Sequence, residues 1–200
     1  MNKKGLLIVV SGPSGAGKGT ICKKILGKNQ DIQLSISATT RPPRKGEVDG
    51  KNYYFITKES FEEMIKGDTL LEYAHVYDNY YGTPDKYVIE NLENGKDVLL
   101  EIDIVGALKV KAKFKEAILI FILPPSLEEL KNRIIGRGTE TQKDIQKRYG
   151  SAVEEIEQVI KYDYAVVNDD VKRATDDIIA IIRAEKCKVA RVGKFIKTIL

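Results

Sequence analysis

Leu6-Leu7-Ile8-Val9-Val10-Ser11-Gly12-Pro13-Ser14-Gly15-Ala16-Gly17-Lys18-Gly19-Thr20 is the stretch that decides the fold. Leu6 to Val10 is a short, unbroken apolar run ending in β-branched residues. It reads as a strand buried on both faces, the habit of a parallel sheet. A glycine-rich turn follows, and Thr20 to Lys28 then carries a helical pattern. Strand, glycine loop and helix together open an α/β unit. Gly12 to Lys18 also fits the pattern G-x-x-x-x-G-K. In that pattern the glycines let backbone N–H groups converge on phosphate oxygens, and the helix N-terminus adds partial positive charge. Lys18 reaches the terminal phosphates of a nucleotide. The flanking strand and helix separate this loop from a chance glycine-rich turn. Where the pattern places Ser or Thr after the lysine, this chain has Gly19. The hydroxyl comes one residue later, so Thr20 is the candidate metal-facing group.

The same alternation continues outward. Asp97 to Asp103, Ala117 to Leu123 and Tyr164 to Asn168 read as further buried strands. Ser126-Leu127-Glu128-Glu129 is a capping box that opens a helix to Ile135. Thr141 to about Tyr162 and Asp170 to about Lys188 read as helices, the latter with an isoleucine stripe. The expectation is a parallel sheet core flanked by helices in a single domain over residues 1–200. Residues 37 to about 95, rich in tyrosine, charge and glycine, read as an inserted lobe. The core is then 1–36 and 96–200. Residues 136 to about 148 hold Arg137 between two glycines and read as a short lid.

Composition narrows the chemistry. Of 200 residues, 42% are hydrophobic and 31% charged, enough for a packed core and against disorder. The formal net charge of +4 suits anionic substrates and is too weak to announce nucleic-acid binding. One histidine, His75, excludes a His-rich metal site and reads as structural or surface. Cys22 and Cys187 are far apart and without CxxC spacing, which excludes a disulfide scaffold and favours a reducing, cytoplasmic setting. No apolar run reaches a membrane span. The basic start leads into a glycine loop rather than a cleavage site, so it does not read as a signal peptide. Lys186 to Leu200 mixes basic and apolar residues and reads as a surface helix extension.

Three features point to a second substrate. Thr39-Thr40-Arg41-Pro42-Pro43-Arg44 sets two guanidinium forks three residues apart on a proline-stiffened segment, suited to one phosphate. Glu72 follows Leu70-Leu71 in an apolar, strand-like stretch, which gives it a buried, ligand-facing place. Glu101 and Asp103 lie two apart at a strand's carboxyl end, where open α/β sheets bind ligands. Buried carboxylates there are costly unless they meet cations, a ligand or a helix cap.

Together with Gly46-Glu47-Val48-Asp49-Gly50, Tyr53-Tyr54-Phe55, Tyr80-Tyr81-Gly82-Thr83, Glu101 to Gly106 and Gly136-Arg137-Gly138-Thr139-Glu140, these motifs resemble guanylate kinase over about residues 5–185. The resemblance implies the P-loop nucleoside monophosphate kinase fold, with an inserted GMP-binding lobe. It implies transfer of the γ-phosphoryl group of ATP to GMP, giving GDP and ADP in purine nucleotide metabolism. Mg²⁺ would arrive with ATP. It further implies ATP binding by Gly12, Pro13, Ser14, Gly15, Ala16, Gly17, Lys18, Gly19 and Thr20, with Asn168 near the adenine. Ser37, Arg41, Arg44, Tyr53, Glu72, Tyr81, Thr83 and Asp103 would bind GMP. Lys18, Arg41, Arg137 and Arg148 would be the catalytic cations. ATP and GMP are the expected partners, dGMP included; nucleic acid and membrane are not. Monomer and homo-oligomer both stay open. The competing readings are another nucleoside monophosphate kinase and a catalytically silent scaffold module. The Thr39–Arg44 and Tyr80–Thr83 segments disfavour the first, and the intact glycine loop the second.

Overall fold

The computed structural model of the protein describes residues 4–76, 78–136 and 142–193. In chain order the elements are β1 (Leu7–Ser11), α1 (Lys18–Lys28), β2 (Ile32–Leu34), β3 (Ala38–Thr39), β4 (Tyr54–Phe55) and α2 (Lys58–Lys66). Then come β5 (Leu70–Val76), β6 (Asn79–Pro84), α3 (Asp85–Glu93), β7 (Asp97–Glu101), α4 (Ile104–Lys113) and β8 (Ile118–Leu123). The chain closes with α5 (Leu127–Ile135), α6 (Gln142–Glu157), β9 (Tyr164–Val167) and α7 (Val171–Lys186).

Five strands form a parallel sheet in the order β2-β7-β1-β8-β9. The central strand β1 shows why its sequence reads as an unbroken apolar run. Ile8 and Val10 join one buried cluster with Ile21, Ile25, Ile120 and Ile178. Leu7 and Val9 join a second cluster with Leu100, Val110 and Leu119. Alternate side chains of a strand point to opposite faces, so a strand covered by helices on both sides needs apolar residues at every position. The predicted cap at Ser126 is present, its hydroxyl accepting from the Glu129 N–H at 3.0 Å, while the Glu129 carboxylate takes Arg133 at 2.8 Å. Asp170 caps α7 in the same way through Arg173 N–H.

Four strands form a separate sheet, β4-β3-β6-β5, and β5 and β6 are an antiparallel pair. Strand β6 is absent from the sequence-based reading because Gly82 and Pro84 interrupt its pattern. The structure explains the glycine. A Cβ at position 82 would lie 2.9 Å from the Phe61 ring and 3.0 Å from the Glu72 carbonyl oxygen. The long helix predicted from Thr141 to about Tyr162 begins at Gln142 among the described residues. It ends at Glu157 and tightens into a 3₁₀ turn over Gln158–Lys161.

Candidate active site

The phosphate loop leaves the carboxyl end of β1, the central strand, whose neighbours are β7 and β8. This is the edge at which parallel α/β sheets bind ligands. Gly15 and Gly17 hold φ of +94° and +93°, in the left-handed region. Gly15 is also pressed on by α5: a Cβ there would sit 3.1 Å from both Leu130 and Ile134. Lys18 folds back over its own loop, its Nζ donating to the carbonyls of Gly12 at 2.6 Å and Pro13 at 3.1 Å. Thr20 is exposed, one turn into α1.

A cleft of about 600 Å³ runs from this loop to the second sheet. The loop contributes Gly12, Ser14, Gly15, Gly17, Lys18, Gly19 and Thr20, and the far wall includes Ser37, Arg44, Tyr53 and Tyr81. Glu101, Asp103 and Glu155 line it as well. A recess of about 200 Å³ continues from it, bounded by Ser37, Tyr53, Glu72, Tyr81 and Asp103. Residues from both sheets therefore face one space. The departure from the loop pattern at Gly19 lies against a carboxylate. A Cβ there would approach the Glu101 carboxylate to 3.3 Å, so a bare glycine leaves that carboxylate its room.

Arg41 is held in a two-point pair. Its guanidinium donates to both oxygens of Glu47, at 2.9 and 3.0 Å, and to the Pro42 carbonyl at 2.7 Å. It lies 5.5 Å from the centre of the Tyr53 ring and 5.7 Å from that of Phe55. Tyr53 meets Tyr81 edge-on at 5.9 Å. The Arg41 bond pulls the Glu47 carboxyl below its usual range and lifts the guanidinium above its own. Burial raises the Tyr53 phenol.

Glu72 on β5 is 5% exposed. Burial pushes its carboxyl up to about 7; the Asp103 charge adds to this and the bond from Thr83 opposes it. Thr83 on β6 donates its hydroxyl to Glu72 Oε1 at 2.7 Å. Thr83, expected to bind GMP, thus stands beside Glu72. Asp103 caps α4, accepting from Gly106 N–H at 2.7 Å, and its side of the cap also faces the cleft. Glu101 is the last residue of β7, and its carboxylate lies beside Gly19.

Asn168 is buried beneath the loop, donating from Nδ2 to the Ala16 carbonyl at 2.7 Å. Arg137 lies outside the described residues, and so does the side chain of Arg148 on α6. Cys22 packs in the core, where burial drives its thiol upward. His75 sits on the surface, edge-on to Tyr80 at 4.9 Å.

Three contributors escaped sequence reading. Glu47 was visible only as part of a motif, and its pairing with Arg41 needs the turn between them. Gly106 brings α4 against the recess beside Glu72: a Cβ there would be 2.5 Å from Glu72 Oε2. Glu155 reaches the cleft from α6, its carboxyl raised by burial against the pull of Lys18. An acidic residue on a long polar helix gave no signal of this.

A parallel α/β core that presents a glycine loop with Lys18, facing a second sheet of paired arginine, tyrosine and carboxylate, defines a P-loop nucleotide-binding protein with two substrate walls. A guanylate kinase family model matches residues 4–185. The chain is 64% identical over 191 residues to a guanylate kinase of Caldanaerobacter subterraneus subsp. tengcongensis, covering 96% of this chain and 93% of that one. It is 60% identical over 194 residues to a guanylate kinase of Clostridioides difficile, covering 97% and 95%. The crystal structure of guanylate kinase from Anaplasma phagocytophilum superposes with a TM-score of 0.81 at 36% identity, over 94% and 90% of the two chains. The chain belongs to the guanylate kinase family of enzymes. No helix among the described residues is long and apolar enough to cross a membrane.

Proposed function

We propose that the protein transfers the γ-phosphoryl group of ATP to GMP, giving ADP and GDP, as a cytoplasmic step of purine nucleotide metabolism. The observation that carries this reading is the shared cleft. It joins the Lys18 loop to Ser37, Arg44, Tyr53 and Tyr81 and continues to Glu72. Triphosphate and monophosphate would lie in it end to end.

A GMP phosphate oxygen attacks the γ-phosphorus while the bond from that phosphorus to the β,γ-bridging oxygen breaks, and its electrons leave with ADP. The nucleophile is already an anion, so no protein base is required. The protein's task is alignment and positive charge on the transferring oxygens. Lys18 and the loop amides hold the triphosphate. Arg41, Arg44, Tyr53 and Tyr81 hold the GMP phosphate, and Arg137 and Arg148 are assigned as further cations through the family resemblance. Glu72 accepts from the adjacent N–H donors of guanine, with Ser37 and Asp103 beside it, and Thr83 orients Glu72. dGMP, which carries the same base and phosphate, is proposed as a substrate too.

The donors fit Mg²⁺ shared with the nucleotide. Thr20, Glu101 and Asp103 line the cleft, and the described residues contain no cluster of three or more His, Cys, Asp or Glu that would cage a metal. A small hard cation that keeps its waters and binds through phosphates needs only such sparse oxygen ligands. Held there, it would supply positive charge to the triphosphate. Residues 37 to about 95 are assigned as the GMP lobe, which would move over the core to exclude water that would otherwise take the phosphoryl group. Of the expected lid, 136 to about 148, residues 137–141 lie outside the described residues.

The test is a coupled assay of ADP formation with ATP and either GMP or AMP. Strong GMP-dependent turnover with little from AMP is expected. Comparable rates would return the protein to another monophosphate kinase class, and no ADP at all to a binding module.

A further inference from the structure

We propose that Asn168 is a positioning residue for the phosphate loop, acting from behind it rather than on the adenine. Its carboxamide Nδ2 donates to the Ala16 carbonyl at 2.7 Å, and the residue is 2% exposed. The Ala16 oxygen can only accept, which fixes nitrogen as the atom facing it. The peptide between Ala16 and Gly17 is planar and trans, so its C=O and N–H point in opposite directions. Pinning the Ala16 oxygen back toward Asn168 therefore aims the Gly17 N–H the other way. Gly17 lines the cleft and Asn168 does not. One side-chain bond thus sets the direction of a phosphate-binding amide.

Two further observations support the arrangement. A Cβ on Gly17 would collide with Asn168 Nδ2. The second glycine of the loop is needed both for its positive φ and to admit this carboxamide. Asn168 is itself locked in place. Its N–H donates to the Leu123 carbonyl at 2.8 Å, at the end of β8, and its own carbonyl accepts from Arg133 on α5 at 3.1 Å. Arg133 is in turn held by Glu129 at 2.8 Å. The loop's orientation is thus tied to the ends of β8 and β9 and to α5, which also presses Leu130 and Ile134 on Gly15. The donor side of the amide is the one engaged, through the Ala16 carbonyl.

The proposal rests on the phosphate loop binding ATP, which the unmodified enzyme's own titration tests separately. The experiment measures binding of ATP, inorganic tripolyphosphate and GMP by calorimetry to the parent, Asn168→Ala and Asn168→Asp. Aspartate keeps the shape and replaces the donor by an acceptor. ATP and tripolyphosphate are expected to weaken by the same factor, about tenfold in Asn168→Ala and more in Asn168→Asp, while GMP stays within twofold. Loss of ATP with tripolyphosphate binding intact would make Asn168 an adenine contact and overturn the proposal. Equal weakening of all three ligands, or failure of both variants to fold, would make it a general stability residue and overturn it too. Unchanged binding throughout would show that the loop orients itself. If the parent binds neither ATP nor tripolyphosphate, the functional reading fails first.

Discussion

The two sheets hold their halves of the cleft by different physics. The five-stranded sheet presents the phosphate loop from β1, with Ile8, Val9 and Val10 fully buried between two apolar clusters. Its contribution to the cleft is the glycine loop with Lys18, joined by Glu101 and Asp103 after β7. The four-stranded sheet has a far smaller core, whose buried residues are Ala38, Phe61 and Leu70. Its shape depends on polar pairs: Thr39 to the Tyr80 carbonyl at 2.9 Å, Thr83 to Glu72, and Arg41 to Glu47. Phosphate is bound by dipoles that demand rigidity, and apolar packing supplies it. A base is told from another base by donors and acceptors, and those require buried, partnered side chains.

The largest effect expected lies on the first wall. Lys18→Met should cut kcat/KM about a thousandfold or more, about 4 kcal/mol, because a point charge aimed at the transferring oxygens is removed. The protein should remain folded, so that the loss is one of catalysis. Steady-state ADP formation beside a thermal melt checks both. Activity within a few-fold of the parent would remove the loop from catalysis.

On the second wall, Glu72→Ala should lower kcat/KM for GMP by about a hundredfold, on the scale of about 3 kcal/mol for charged hydrogen bonds. AMP should suffer much less. Adenine sets a lone pair against the carboxylate, so the parent rejects it, and that rejection is lost with the side chain. The ratio of kcat/KM for GMP to that for AMP is the measurement. An unchanged ratio would mean that Glu72 does not read the base.

The first wall was far more legible in the sequence than the second. β1, the loop and α1 announce themselves because a strand buried on both faces must be apolar throughout and a phosphate loop must be glycine-rich. β8 and the Ser126 cap were legible for the same local reasons. The small sheet was not. β3 and β4 are two residues each, too short for periodicity, and β6 carries Gly82 and Pro84 where a strand pattern expects side chains and donors. Arg41 and Glu72 were found by motif, but their partners were not. Glu47 pairs across a turn, and Gly106 meets Glu72 from α4, more than thirty residues along the chain. Pairings set by tertiary approach leave no periodic trace.

A third test separates the walls by pH. Burial lifts the Glu72 carboxyl from 4.5 to about 7. An acid whose folded pKa is raised contributes stability that is complete below about 4.5 and lost as pH rises through about 7. At ~1.4 kcal/mol per unit, the change is at most about 3 kcal/mol. Glu72→Gln keeps an oxygen for Thr83 and removes the titration. The parent's melting temperature should therefore fall relative to Glu72→Gln between pH 5 and pH 8, by several degrees at ~2–4 °C per kcal/mol. Saturating GMP should shrink the difference at pH 8, because guanine's N–H donors then compensate the charge. Parallel melting curves would show that this carboxyl titrates as if in water.

The smallest effect expected concerns Glu47, which never reaches the base. Its carboxylate takes both Arg41 nitrogens and also accepts from Arg44 N–H at 2.7 Å. It thus fixes the loop that carries both Arg41 and Arg44, the arginines proposed to hold the GMP phosphate. Glu47→Ala leaves Arg41 charged but free to sample other rotamers, so the lost quantity is orientation rather than charge. GMP KM should rise about tenfold, about 1.4 kcal/mol, with KM for ATP within twofold. Arg41→Ala should cost more. Adding Glu47→Ala to it should cost little beyond the single change, because the two residues act through one bond pair and their effects do not add. Glu47→Gln should recover part of the loss, since its amide oxygen still accepts one guanidinium N–H. Full additivity in this cycle would separate Glu47 from Arg41 in function. It would also leave the polar pairs of the small sheet as scaffolding alone, with the GMP phosphate held by Arg44, Tyr53 and Tyr81.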